Sequence, residues 1–539
     1  MSEWWRDAVL YQIYVRSFAD SNGDGIGDLR GVIDHLDHLS WLGVDGIWLS
    51  PTFPSPNADW GYDVADYLGV HPDLGTAEDL DALIAAADAV GIRVLLDLVP
   101  NHTSIDHEWF RDARSSRESS RRDWYVWADP AADGGPPNNW LSSFAGPAWT
   151  LDPSPAPGEP AQYFLHNFLD EQADLNWWNP QVRDEFDRIL GHWFDRGVAG
   201  FRIDVAHMIV KDAELRDNPP AGDDASLLDQ LRGQVPVYNS NRPEVHDVHR
   251  RWRTIADSYD PTRLLLGETF VGALEQVIPY YGSDDELGLA FNIPFLREPF
   301  DARTLCALVE ETEHLLPRDC TAVWTASNHD MSRGPTRWAD GDPDAFRCAL
   351  MMILTLRGSA VLYYGDEIGL PDTHVPDDRL LDPVTIRLHR LIDRDAARTP
   401  MPWSPAKGAG FTPAGAEPWL PFGDIEACNV SDQRGDPSST LHLTRDLLAF
   451  RRDSVELRTG AYRTIVCEGS AWAWRRADTV LVAVNLGSDT ALIGASAGAS
   501  AGAIVGSIAI GTDRTRDGEV LDGTLALGPY EGAVVSLAV

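Results

Sequence analysis

The stretch Gly200-Phe201-Arg202-Ile203-Asp204 sets a carboxylate at the end of a short apolar run. A hydrophobic run that ends in a carboxylate is typical of a buried parallel strand whose C-terminal end forms part of an active site. The same arrangement occurs in three further segments: Val94-Leu95-Leu96-Asp97, Leu264-Leu265-Leu266-Gly267-Glu268 and 321–330, which ends in Asp330. Four such strand ends, in order and at the spacing of a barrel, indicate one repeated architecture.

Strand-like runs alternate with amphipathic segments through the first three quarters of the chain. The expected strands are 8–15, 44–49, 92–98, 198–204, 263–268, 288–293, 321–326 and 359–364. Between them, stretches such as Leu29 to Leu42 and Ala77 to Val90 carry apolar residues at helical spacings of three and four. Eight strands alternating with helices predict an α/β fold, a (β/α)8 TIM barrel with insertions.

Composition changes along the chain predict further domains. The segment after strand three lacks helical periodicity and is rich in Pro, Gly, Trp and Asn, which predicts an inserted irregular domain. A smaller insertion of similar composition follows strand eight, and alternating residues near the C-terminus predict an antiparallel β-domain. The predicted division is a barrel of 1–103 and 179–455, an inserted domain B of 104–178, an inserted subdomain of 371–437 and a C-terminal β-domain of 456–539.

Bulk properties restrict the class of protein. The chain has 539 residues and a formal net charge of −39, which argues against nucleic-acid binding because phosphate contacts require a basic surface. The five cysteines have no metal-ligand spacing, so we expect reduced thiols. Neither a signal peptide nor a run of 18 apolar residues is found, which predicts a cytoplasmic protein without a membrane partner. A monomer and a homodimer both remain open.

Three carboxylates would lie on one side of the barrel: Asp204, Glu268 and Asp330, at the ends of strands four, five and seven. Paired carboxylates hydrolyse glycosides, one as an ionised nucleophile and the other as a protonated acid. Arg202 lies two residues before Asp204 on the same strand face, so we expect it to lower the pKa of Asp204. Burial is expected to raise the pKa of Glu268. Asp204 is therefore assigned as nucleophile and Glu268 as general acid/base.

The order of the motifs resembles the α-amylase superfamily of glycoside hydrolases (glycoside hydrolase family 13), in its α-glucosidase or oligo-1,6-glucosidase branch. The similarity extends from about residue 4 to residue 455. The segments that carry the resemblance are Asp97-Leu98-Val99-Pro100-Asn101-His102, Ala173-Asp174-Leu175-Asn176, Gly200-Phe201-Arg202-Ile203-Asp204, Gly267-Glu268-Thr269 and Ser327-Asn328-His329-Asp330.

This resemblance implies a retaining mechanism through a covalent glucosyl intermediate on Asp204, with Asp330 stabilising the transition state. It also implies that Tyr62 stacks on the sugar ring and that Asp63 and Arg398 form a charged pair that clamps the terminal glucose. Such a pair would close one end of the pocket, which implies exo-action. The further residues implied to contact a small neutral α-glucoside are His102, Arg202, His329 and Phe144.

A second predicted site is the loop Asp20-Ser21-Asn22-Gly23-Asp24-Gly25-Ile26-Gly27-Asp28. It places oxygen ligands at alternate positions, as in the first part of a calcium loop, although Gly31 stands where an EF-hand has its closing Glu. The predicted ligands of one structural divalent cation are Asp20, Asn22, Asp24, Ile26 and Asp28. Calcium is favoured, magnesium is the alternative, and no organic cofactor is expected.

Three functions remain open on the sequence. The first is a retaining exo-acting α-glucosidase acting on glucosides of the maltose or isomaltose type. The second is an α-transglucosylase or isomerase acting on sucrose, maltose or trehalose, which would use the same carboxylates. The third is a non-catalytic scaffold, which the retention of all three carboxylates disfavours. Val205 resembles the residue that accompanies α-1,6 cleavage, but the stretch after it departs from that pattern, so the linkage is also open.

Overall fold

An eight-stranded parallel sheet forms the centre of the computed structural model, which describes residues 3–152, 157–223, 225, 227–494 and 503–538. Its strands are Val9–Ile13, Gly46–Leu49, Arg93–Leu98, Gly200–Ile203, Leu264–Gly267, Leu289–Ala290, Val323–Thr325 and Ser359–Tyr363. The first strand pairs with the second and the eighth, and a bridge between Phe291 and Val323 joins the two open ends. The sheet therefore closes into a barrel, and the predicted (β/α)8 fold is confirmed.

Helices surround this barrel. The longer ones are Ala77–Ala89, Pro180–Asp195, Val245–Asp257, Ala302–Leu315, Pro343–Thr355 and Thr440–Asp453. The shorter ones are Leu29–Asp34, Leu36–Leu42, Glu108–Ser115, Leu227–Arg232, Leu274–Val277, Ile293–Arg297, Gly334–Arg337, Pro383–Arg387, Val430–Gly435 and Val455–Thr459. The amphipathic stretch Leu29 to Leu42 forms two helices, and at their junction the His35 ring lies 2.9 Å from the Gly31 carbonyl, while the His35 backbone N–H bonds Val32 and Ile33 instead.

Two small sheets lie in the chain between the third strand and the helix Pro180–Asp195. His102–Ser104 pairs with Gln172–Asp174, and the second sheet consists of Trp127–Ala128, Tyr163–Leu165 and Trp149–Leu151. Residues 153–156 of this insertion lie outside the described chain. Both sheets are short, so the segment is built largely from loops, as its composition predicted.

The C-terminal part of the chain is antiparallel, as predicted. A six-stranded sheet has the order Tyr462–Glu468, Ala471–Arg476, Val480–Asn485, Gly532–Leu537, Ile504–Gly511, Val520–Gly523, and Ala491–Ile493 pairs with Leu525–Leu527. Residues 495–502 lie outside the described chain. In the described ranges, no helix has both the length and the apolar content needed to cross a bilayer.

Close packing between the fourth and fifth strands generates a stability prediction. A Cβ atom on Gly200 would lie 2.3 Å from the backbone oxygen of Leu264, which cannot move without breaking the sheet. Gly200→Ala is therefore expected to lower the free energy of unfolding by about 1–3 kcal/mol. Gly435→Ala is the matched control, because a Cβ there meets nothing within 4 Å. Chemical denaturation measures both, and equal stability of the two variants would contradict the packing.

Candidate active site

One buried guanidinium links the two carboxylates expected to perform the chemistry. Asp204 directly follows the fourth strand and Glu268 directly follows the fifth, so both emerge on the C-terminal face of the barrel. The terminal nitrogens of Arg202 lie 2.7 Å from Asp204 Oδ1 and 2.8 Å from Glu268 Oε2. The structure therefore brings the predicted nucleophile and the predicted acid/base to the same cation.

Arg202 also binds a third carboxylate, Asp97, at the end of the third strand, at 2.8 Å. The guanidinium lies over the ring of Trp48, at 5.1 Å from its centroid. Glu268 Oε2 accepts a further hydrogen bond from the backbone N–H of Val205, at 2.9 Å. Three carboxylates thus share one cation inside the barrel, where little water can screen them.

Burial shifts the pKa values of the carboxylates around Arg202. It raises the pKa of Asp204 well above its ordinary value, with Arg202 opposing the rise and Glu268 and Asp97 adding to it. Burial also raises the pKa of Glu268, as expected from the sequence. The lowered pKa expected for Asp204 is wrong, because one guanidinium does not offset burial together with the neighbouring carboxylates. Both shifts favour the protonated form, and acid catalysis requires one protonated carboxyl group.

Asp330 lies in a different electrostatic environment. Its Oδ1 is 3.1 Å from Arg394 and 3.0 Å from Arg398, and Oδ2 is 3.3 Å from His329. Burial would raise the pKa of Asp330, yet His329 and the two arginines hold it well below its usual value. Burial lowers the pKa of His329 to about 3, so the imidazole is neutral and the arginines keep Asp330 ionised at neutral pH.

Tyr62 lies against His329. Their ring centroids are 5.4 Å apart with 9° between the planes, and the Tyr62 hydroxyl contacts His329 Nε2 and, at 3.2 Å, Asp97. His329 Nδ1 is held by Gln12 at 2.8 Å. These contacts fix the orientation of the Tyr62 ring beside the carboxylates.

His102 contacts the backbone of the segment that carries Tyr62. Its Nε2 is 3.1 Å from the Tyr62 carbonyl and its Nδ1 is 2.9 Å from the amide nitrogen of Asn101. Burial lowers the pKa of His102 to about 4, so the ring is neutral. Both ring nitrogens are thus committed to protein partners in this structure.

The predicted pairing of Asp63 with Arg398 is wrong. Asp63 accepts hydrogen bonds from Ser55 Oγ and from the backbone N–H groups of Ala58 and Asp59, at 2.7–3.0 Å, so its carboxylate closes its own loop. The carboxylate that reaches an arginine is Asp59, whose Oδ1 is 2.8 Å from Arg394. Both acidic side chains are buried, and it is Asp59, four residues before Asp63, that contacts the arginine.

Arg394, Asp59 and Asp382 were missed by the sequence reasoning. Asp382 bridges the two arginines, at 2.6 Å from Arg394 and 3.0 Å from Arg398, and is buried. Phe144, which was predicted, lies with its ring centroid 5.2 Å from the Arg394 guanidinium. The sequence hinted at two of these residues only through their positions: Arg394 lies four residues before Arg398, and Asp59 lies three residues before Tyr62.

The loop 20–28 is folded by its own side chains. Asp20 accepts N–H groups from Gly23 and Gly25 at 2.6 and 2.8 Å, and Asp28 caps the following helix through Gly31 at 2.7 Å. Asn22 and Asp24 accept backbone N–H groups two residues ahead. Carboxylate oxygens keep further lone pairs, so the donor type suits a hard cation. Within the described ranges no three His, Cys, Asp or Glu side chains converge on a metal position.

A closed (β/α)8 barrel with paired carboxylates at its C-terminal face defines the class, a barrel glycoside hydrolase. The family description "Alpha amylase, catalytic domain" matches residues 12–460, and the chain belongs to this family. It is 42% identical over 489 residues to a probable α-glucosidase of Rhizobium meliloti (strain 1021), covering 88% of this chain and 87% of that protein. It is 36% identical over 526 residues to a trehalose-6-phosphate hydrolase of Escherichia coli (strain K12), covering 90% and 91%.

The fold is shared with solved structures over the full length. A crystal structure of an α-glucosyl transfer enzyme superposes with a TM-score of 0.89 at 38% sequence identity, covering 100% of both chains. Relatives that hydrolyse glucosides and a relative that transfers glucosyl groups therefore share this architecture. The family membership is common to both kinds of reaction, so specificity has to be sought in side chains around the carboxylates.

The Asp59–Arg394 contact generates a prediction about the site. Asp59→Asn is expected to lower kcat/KM for 4-nitrophenyl α-glucoside by about tenfold or more, because a charge-assisted bond beside Asp330 is lost. Asp63→Asn is the matched comparison, and its main effect should be a lower melting temperature, since Asp63 holds only its own loop. A larger loss of kcat/KM in Asp63→Asn than in Asp59→Asn would show that Asp63, and not Asp59, acts on the substrate.

Proposed function

We propose that the protein is a retaining, exo-acting α-glucosidase that releases α-glucose from the non-reducing end of short α-glucosides. The observation that carries the proposal is the binding of Asp204 and Glu268 to the two terminal nitrogens of Arg202. Retaining glycosidases hold their carboxyl groups about 5 Å apart, whereas inverting enzymes leave room for a water between them. Two carboxylates on one guanidinium fit the closer spacing.

In the proposed reaction, Asp204 attacks the anomeric carbon while Glu268 gives its proton to the departing oxygen. Glu268 then removes a proton from water, which attacks the glucosyl–Asp204 ester and releases α-glucose. The raised pKa of Glu268 suits the first step, because a protonated carboxyl is the required acid. Asp330 stays ionised beside its arginines and is suited to stabilising positive charge on the sugar ring.

Exo-action is supported by the charged groups at one side of the site. Asp59, Arg394 and Asp330 form a connected set of charges, with Phe144 packed against Arg394. Buried charged groups of this kind hydrogen-bond sugar hydroxyls, and the ion pairs join the loops after the second, seventh and eighth strands at this side of the site. A terminal glucose is the unit that such a closed end accommodates.

The experiment that tests the function is proton NMR of the products from maltose, isomaltose, sucrose and trehalose, each mixed separately with the enzyme. The first sugar released is expected to be α-glucose, before mutarotation, and the fastest substrate identifies the linkage. Asp204→Asn should reduce turnover by several orders of magnitude without loss of the folded state. Release of β-glucose first, or persistent turnover in Asp204→Asn, would contradict the mechanism.

A transglucosylase or isomerase is the second candidate, and the similarity to an α-glucosyl transfer enzyme at 38% identity favours it. The same carboxylates would form the glucosyl intermediate, and a sugar hydroxyl would replace water as acceptor. In the NMR experiment this activity appears as a new disaccharide with little free glucose.

We further propose that the loop 20–28 binds one divalent cation, calcium in preference to magnesium. The alternating oxygen donors and the anchoring of Asp20 by Thr412 support this proposal. Added CaCl2 is expected to raise the melting temperature of chelator-treated protein, because a ligand that binds only the folded state stabilises it. Asp24→Ala should abolish that increase, since Asp24 is an exposed donor. An equal increase in Asp24→Ala would contradict the site.

We infer a cytoplasmic location. Its support is the state of the five cysteines, which are all free thiols: Cys306, Cys320, Cys348, Cys428 and Cys467. Oxidising compartments favour disulfides, and a chain of this length with unpaired cysteines fits a reducing one.

A further inference from the structure

We propose that the leaving-group side of the site selects α-glucosides whose aglycone carries a negative charge, a phosphate or a carboxylate, through Arg297 and Arg232. The proposal rests on the function proposed above and adds the chemical class of the group that departs. It concerns the residues that pack against the segment Glu268 to Phe270.

The position of Arg297 follows from its contact with the acid/base segment. Phe270 lies two residues after Glu268, and the Arg297 guanidinium lies 4.0 Å from the centroid of its ring. On the same segment, His207 Nδ1 is 3.4 Å from the carbonyl of Glu268. Because Glu268 is the group that protonates the departing oxygen, a cation attached to this segment stands where the aglycone leaves.

Arg297 is free to bind a ligand. It ends the helix Ile293–Arg297, remains exposed, and forms no ion pair or side-chain hydrogen bond with any residue in the described part of the chain. Arg394 and Arg398, by contrast, each contact at least two carboxylates. The cations around Asp330 are thus neutralised by the protein, whereas the charge of Arg297 is not.

Arg232 adds a second cation to this surface. Although Arg297 is exposed, neighbouring atoms displace part of the water around its guanidinium, and this desolvation and then the charge of Arg232 lower the pKa of Arg297, while Asp229 acts in the opposite direction. Arg232 ends the helix Leu227–Arg232, and Asp229 lies one turn before it. Both arginines stay protonated at neutral pH. Arg297 and Arg232 thus place two positive charges near each other, with Asp229 beside them, in a protein whose net charge is −39.

A guanidinium recognises phosphate and carboxylate through paired N–H donors, which makes an anionic aglycone the natural partner of this surface. The bond changes of hydrolysis are unaffected: the anomeric C–O bond breaks, Glu268 supplies the proton to the aglycone oxygen, and the anion leaves unchanged. Arg297 and Arg232 would be specificity-determining residues that act on binding of the aglycone.

The test compares matched substrates that differ in charge at the aglycone. One pair is trehalose 6-phosphate and trehalose, and the other is a carboxymethylphenyl α-glucoside and its methyl ester. The wild type is expected to have the higher kcat/KM for the anionic member of at least one pair.

Arg297→Gln should lower that ratio of anionic to neutral kcat/KM about fivefold, and Arg232→Gln should also lower it. Added NaCl should reduce the ratio in the wild type, because salt screens the charges. Arg463→Gln, an exposed arginine of the C-terminal sheet, is the control and should leave the ratio unchanged.

The substrate pair in which the anionic member has the higher kcat/KM shows whether the preferred aglycone carries a phosphate or a carboxylate. A ratio near one in both pairs, or a ratio that Arg297→Gln and Arg232→Gln leave unmoved, would overturn the proposal. Hydrolysis of the neutral members measures the underlying glucosidase separately, so its absence would count against the proposed function instead. As a readout independent of turnover, glucose 6-phosphate should inhibit more strongly than glucose, and Arg297→Gln should remove that difference.

Discussion

The active site depends on one buried arginine surrounded by three carboxylates. Arg202 contacts Asp97, Asp204 and Glu268, which come from the ends of three adjacent strands. Charges taken out of water are costly unless they are paired with good geometry, so the register of these strands is coupled to the position of the guanidinium. The Trp48 ring covers one face of the guanidinium and helps exclude water from the cluster. Burial raises the pKa of Glu268 in this cluster, which favours the protonated acid that catalysis requires.

The loops outside the barrel contribute a second group of charged side chains, which contains two arginines instead of one. Asp330 meets Arg394 and Arg398 from the segment after the eighth strand, and Asp59 from the segment after the second strand completes the set. A further buried ion pair, Lys211 with Asp174 at 2.8 Å, ties the inserted domain to the segment after the fourth strand. The strand ends thus hold the reacting groups, while the loops determine the shape and charge of the space in front of them. Arg297, at the end of the helix Ile293–Arg297 and without an ion pair among the described residues, belongs with this outer group.

Much of this arrangement could be predicted from the chain. The barrel strands were predictable because a parallel strand buried on both faces is a continuous apolar run, and Asp204 and Glu268 follow such runs directly. The predicted pKa of Asp204 was wrong because adjacency in the sequence revealed Arg202 but not the other carboxylates that share it. Asp63 was preferred to Asp59 for a similar reason: a loop without periodicity does not reveal which side chain turns inward.

Three properties follow from the amino-acid sequence without the fold: the order of the barrel strands, the identity of the residues at their ends and the class of chemistry that paired carboxylates allow. These properties are local, since each depends on a few consecutive residues and on the alternation of side chains along a strand. The partners of each charge, by contrast, depend on the folded chain: Arg202 contacts three carboxylates, Arg394 contacts Asp59 and Asp382, and Arg297 contacts none among the described residues. Electrostatic energies depend on distance and burial in space, and residues that lie hundreds of positions apart in the chain become neighbours only when the barrel closes.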